Sequence, residues 1–153
     1  MRVYSLTDQE RSNTGFTHCI RIAWSANTAD NDFNVAATSA ALNAIALNPG
    51  DVVNYPLAQV YCKQAPTGVT APTISVGVTA AAAQFIVSGT PATGRSLVAV
   101  GPADTAGGPV ALTAASNILV TIGGSNNLTN ATAGEFLIFV AITRAADLNK
   151  IQG

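Results

Sequence analysis

Charge is what this 153-residue sequence has least of. Charged residues make up 10% of it, against roughly 25% in an average globular chain, so Ala, Thr, Ser, Asn and Gly must cover much of the surface. The seven basic residues, Arg2, Arg11, Arg21, Lys63, Arg95, Arg144 and Lys150, are scattered, and the formal net charge is −1. Without a basic patch a row of phosphates cannot be neutralised, which argues against nucleic acid as a partner. A net charge near zero weakens repulsion between molecules and favours association.

Long apolar runs are missing too. Nothing approaches the roughly 18 uninterrupted apolar residues of a membrane span, and the opening MRVYSLTDQERSN lacks the apolar core of a signal peptide. The expectation is a protein made in the cytoplasm, without a membrane partner, that leaves the cell only by a route such as lysis. The two cysteines, Cys19 and Cys62, are far apart and have no histidine or second cysteine at metal-ligand spacing. Two buried free thiols are the main reading, with a disulfide as the alternative.

Chemistry-bearing patterns are equally scarce. His18, the one histidine, lies on an alternating face with Ile20, Ile22 and Trp24, which reads as a packed strand histidine rather than a catalytic base. No nucleophile sits in an activating context such as G-x-S-x-G. The eight carboxylates, Asp8, Glu10, Asp30, Asp32, Asp51, Asp104, Glu135 and Asp147, offer no spacing that nominates an acid/base pair. A calcium loop counted from Asp30 fails, because its sixth position is Val35 rather than Gly and its twelfth Ala41 rather than Glu. The Gly pairs at 107–108 and 123–124 are not followed by the residues of a phosphate cradle. Asn127 and Asn130 satisfy the glycan-acceptor pattern, which matters only in a secreted eukaryotic protein. With one Trp, three Tyr and five Phe, several in strand cores, no exposed aromatic platform for sugars stands out. The expectation is a non-enzymatic chain without cofactor or metal.

What is present is a succession of short alternating segments. Residues 2–6 read as a short strand, and residues 7–15, the most polar run, as a flexible arm or a surface loop. Residues 16–24 alternate cleanly, residues 25–34 read as a solvated loop, and residues 42–65 read as strand, tight turn and returning strand. In the turn, Asn48-Pro49-Gly50-Asp51, Pro presets φ and Gly accepts the positive φ that follows. Pro56 points to an edge or bulge. Residues 73–79 alternate with Ile74, Val76 and Val78 inward; the alanine run at 80–86 reads as a helical turn or irregular crossover whose apolar end plugs the core. Residues 89–108 are turn-rich around a short apolar piece at 96–100. Residues 117–122 form an apolar strand, and residues 135–143 one apolar on both faces, as in mid-sandwich or under a second subunit. The tail is polar, with a short helical start. Turn-bounded strands at roughly ten-residue spacing predict an all-β fold, an antiparallel β-sandwich or jelly-roll-like barrel of seven or eight strands. Residues 1–15 would be an extended N-terminal arm and residues 16–153 a single sandwich domain.

The pieces ALNPGDVV, VYCK, PTISVGVT with its alanine-rich extension to Phe85, and NILVTIGGSNNLTNATAGEFLIFVAIT resemble small head decoration, or cement, proteins of tailed bacteriophages. Similar modules occur in head fibres and tail-associated proteins. The resemblance implies a β-sandwich subunit, commonly a homotrimer, on the outer surface of the phage head where major capsid subunits meet. The alternative it leaves open is a host-surface or glycan-binding module of a fibre or tail that uses the loops at 89–108. No family residue has a motif sharp enough to transfer. The candidate contacts with the capsid or a neighbouring copy are therefore those of the N-terminal arm, Arg2, Val3, Tyr4, Leu6 and Arg11.

Overall fold

Period-two burial runs through the chain and decides the architecture. In β11 (Ala133–Val140), Phe136, Ile138 and Val140 are buried while Glu135, Leu137 and Phe139 between them are half-exposed. The same alternation marks β6 (Thr73–Val78), where Ile74 and Val76 are fully buried. Such strands can cover their apolar faces only against a second sheet. The computed structural model describes residues 1–54, 57–79, 81–89, 94–100 and 109–151, and it has that form.

One sheet holds five strands in the order β1 (Arg2–Ser5), β2 (His18–Ala23), β11, β5 (Gln59–Thr67), β8 (Ser96–Val100). The second holds four, β3 (Ser39–Leu47), β10 (Ser116–Gly123), β6, β7 (Ala81–Gly89). All pairings are antiparallel. Four of them are nested: β6 with β7, β5 with β8, β3 with β10 and β2 with β11. A long hairpin rolled up on itself gives this order, which is that of a jelly roll. Eight strands make up this jelly roll and the short strand read at residues 2–6 joins one edge as β1; the all-β sandwich expected from the sequence is therefore present. A small third sheet, β12 (Ile142–Thr143), β4 (Val52–Val53) and β9 (Val110–Ala111), closes one end. Between the two large sheets lie Ile20, Ile22, Val60, Ile74, Val76, Phe85, Ile118, Val120, Phe136 and Ile138, each at most 1% exposed.

Residues 7–15 are neither a flexible arm nor a plain loop. They fold into α1 (Asp8–Thr14), whose Thr7 cap accepts from the Glu10 N–H while the Glu10 carboxylate accepts from the Thr7 N–H at 2.8 Å. Gly15 ends the helix at φ +76°. This reciprocal cap satisfies two of the donors that a short helix leaves open. Nor is the segment before it extended into solvent, because β1 is hydrogen-bonded along β2 with Val3 opposite Ile20 and Tyr4 opposite Cys19.

The turn at 48–51 forms as expected, with Gly50 at φ +86°, but it does not make a hairpin. β3 pairs with β10, whereas β4 pairs with β12 and β9, and β5 with β11 and β8. The turn carries the chain from one sheet to the other. Its Asp51, 1% exposed, accepts from the Asn48 N–H, the Ala145 N–H and Arg144 Nη1 at 3.0, 2.9 and 2.7 Å. Arg144 and Ala145 join β12 to the terminal α2 (Ala145–Ile151), so the carboxylate ties the sheet crossing to the last helix. Burial alone would raise its pKa, yet those donors hold it below the usual carboxylate range.

The alanine run is strand rather than helix. β7 pairs back on β6, with Val78 opposite Ala81, and its Phe85 and Ile86 are buried as expected. So short an alanine run cannot nucleate a stable helix alone, and the open edge of β6 captures Ala81–Gly89 as a strand. Phe33 in the expected solvated loop is 2% exposed and packs near Phe136, ring centroids 6.3 Å apart. Pro56 and much of 89–108 lie outside the described residues. Both cysteines are free and buried.

Candidate functional site

Registered strand partners share a face, so the pairing fixes what each side of the five-stranded sheet presents. One outward row runs Arg2, Arg21, Leu137, Tyr61, Leu97, and the next runs Tyr4, Cys19, Phe139, Gln59. Leu97 is 52% exposed and Tyr4 44%; Tyr61, Leu137 and Phe139 are half-buried. Phe16, 8% exposed, leans on Phe139 with centroids 5.5 Å apart. The result is an apolar, aromatic-rich surface on the outside of the sandwich.

A charged group borders this surface. Glu135 Oε1 accepts from Arg21 Nε at 2.7 Å and from Lys63 Nζ at 3.0 Å. Burial would raise the Glu135 pKa, but the two cations outweigh it and hold the carboxyl below its ordinary value. The same bond to Glu135 pushes the Arg21 guanidinium up. Arg2, directly opposite Arg21 across β1 and β2, has no ion pair among the described residues.

Beyond Arg2 and Arg21 the sheet ends in a cleft of about 260 Å³, walled by those arginines, Trp24, Ser25, Asp30 and Asp32. Trp24 follows the last residue of β2, and its N–H is held by the Gly134 carbonyl at 2.9 Å. The Asp32 carboxylate accepts from the Ala23 N–H at 2.8 Å and meets the Met1 ammonium. Asp30 accepts from the Asn27 amide. Trp24 also lines this cleft, but it is half-buried and packs against the core, so no exposed aromatic platform is offered here.

Of the five contact residues expected from the sequence, Arg2 and Tyr4 share the outward face. Val3 shares the inward side with Ile20 and, at the sheet edge, stays 40% exposed. Leu6, half-buried, donates its N–H to Thr17, and Arg11 lies on α1. They form no single patch. Arg21, Tyr61, Leu97, Leu137 and Phe139 were not nominated; the doubly apolar last strand was the signal that could have found the last two.

His18 stands apart from this surface. Its Nδ1 lies 2.8 Å from Thr17 Oγ1, and burial, then Arg144 and Arg11, push its pKa down. Burial also raises both thiols. Among the described residues no group of three or more His, Cys, Asp or Glu could hold a metal ion, and no helix is long and apolar enough to cross a membrane. Comparison with protein-family models, curated proteins and solved structures gives no match to this chain.

Proposed function

We propose that the chain is a non-enzymatic virion structural protein, a decoration or cement protein that binds the outer surface of a phage head as a homotrimer and reinforces contacts between major capsid subunits. A jelly roll hosts many functions, so the fold carries little of this reading. The outward face of the five-stranded sheet carries it: Tyr4, Tyr61, Leu97, Leu137 and Phe139 form an apolar surface at which a large partner can bury area. Covering one leucine fully contributes about 1.5–3 kcal/mol. A standard interface buries about 1,600 Å² in all, and repeated copies on a lattice add avidity. Scarce charge lowers the cost of drying such a contact. The test is to add purified chain to heads that lack it and image them. Regular shell density with the wild type and none with Leu97→Asp is the expected result. Density confined to the tail or a vertex, or full occupancy by the variant, overturns the proposal.

A further inference from the structure

The cleft at the end of β1 and β2 has a chemistry that shell binding does not use. Arg2 and Arg21 are opposite one another across two antiparallel strands, where like charges are destabilising. Arg21 spends its Nε on Glu135, while Arg2 has no counter-ion among the described residues. An anion placed between the two guanidinium groups relieves that repulsion and accepts charge-assisted bonds from both. The other walls are unlike an anion hole. Ser25 offers a hydroxyl and Asp30 a carboxylate, and Trp24, itself packed against the core, adjoins them. Asp32 is already occupied by the Ala23 N–H and the Met1 ammonium.

A simple anion would gain from the arginines and be repelled by Asp30. A ligand with a carboxylate at one end and hydroxyl groups at the other satisfies both walls. The volume, about 260 Å³, is just below the roughly 300–1,000 Å³ of small-molecule sites, which fits one or a few sugar units. We infer that this cleft binds an acidic saccharide, its carboxylate on Arg2 and Arg21 and its hydroxyls on Asp30 and Ser25. The inference goes beyond the shell-binding proposal and is tested on the free chain, so either can fail alone.

Trp24 is the only tryptophan in the chain, so its fluorescence reports the cleft directly. Tri-galacturonate titrated into the full chain should change that emission saturably, and glucose, acetate and diglutamate should not. Arg2→Gln, on an exposed edge position, should weaken tri-galacturonate at least about tenfold, as expected for a lost charge-assisted pair, and Lys150→Gln should leave it unchanged. Asp30→Asn separates a sugar site from an anion site: it should weaken tri-galacturonate while leaving acetate equal or stronger. No saturable response to tri-galacturonate, an equal response to acetate or diglutamate, or tighter tri-galacturonate binding by Asp30→Asn each overturns the inference. Should Arg2→Gln lose the far-ultraviolet spectrum of the wild type, the Asp30→Asn result decides alone.

Discussion

The two sheets of this sandwich share one core and present opposite exteriors. The four strands β3, β10, β6 and β7 contain no charged residue, no histidine and no tyrosine. Their outward positions are small or neutral, such as Ala41, Asn43, Ser75, Gly77 and Thr121. The five strands of the other sheet hold Arg2, Arg21, Lys63, Glu135, Tyr4 and Tyr61. The first exterior is the more easily dried, but the second offers the large apolar side chains that gain by it. An anchor needs area to bury as well as an absence of charge.

The largest expected effect breaks this contrast at its strong side. Leu97→Asp should abolish head binding with no loss of thermal stability, because Leu97 is half exposed in the free chain, whereas Asn43→Asp on the other exterior should bind as the wild type does. Occupancy in particle images reads both. Equal losses would mean that the two faces do not differ in role.

Next in size is Glu135, which couples charge to the apolar face. Glu135→Gln should lower unfolding free energy by about 1–2 kcal/mol, since hydrogen bonds to charged groups contribute about 1.5–3 and the exposed Lys63 end is screened. The pH dependence follows from the depressed carboxyl pKa. Its contribution is present above the unfolded value of about 4.3 and is lost as pH falls through the lower folded value. Denaturant midpoints of the wild type and Glu135→Gln should therefore converge below about pH 4. A gap that persists at pH 2 contradicts the assignment.

The smallest effect sharpens the neutral side. The Thr121 hydroxyl is enclosed between Ala41 and Ser75 without a hydrogen-bond partner among the described residues. Replacing it by the isosteric valine removes a buried group that lost its water, so Thr121→Val should gain about 1 kcal/mol in denaturant unfolding. A loss of stability would show that the hydroxyl is satisfied after all.

How far the sequence could be read depended on the range of the interaction. Alternation in residues 73–79 and the apolar run at 117–122 are local physics, and those strands lie where the pattern puts them. The Asn48-Pro49-Gly50-Asp51 turn is local as well, but which strands flank it in a sheet is decided by β10 and β11, far along the chain. The alanines of β7 have helical preference and strand fate, since pairing with β6 outweighs a propensity of tenths of a kcal/mol per residue. The helix α1 was legible: Thr7-Asp8-Gln9-Glu10 is a capping box in plain view. The cleft was not. Alternation sets Trp24 on the face of Ile20 and Ile22, and it does pack against the core; that it also lines the cleft follows from the chain leaving the sheet after Ala23.

The nested pairing of β2 with β11 also sets a clock. Arg21 and Glu135, which meet on the outward face, are 114 residues apart in the chain. At a synthesis rate of roughly 5–20 residues per second, β2 waits on the order of ten seconds for the strand that places Leu137 and Phe139 beside it. Until then the apolar outward face does not exist as a surface. If the chain binds a shell as proposed, a nascent or truncated copy could not occupy a site meant for a finished one, and the order of translation would act as quality control on assembly.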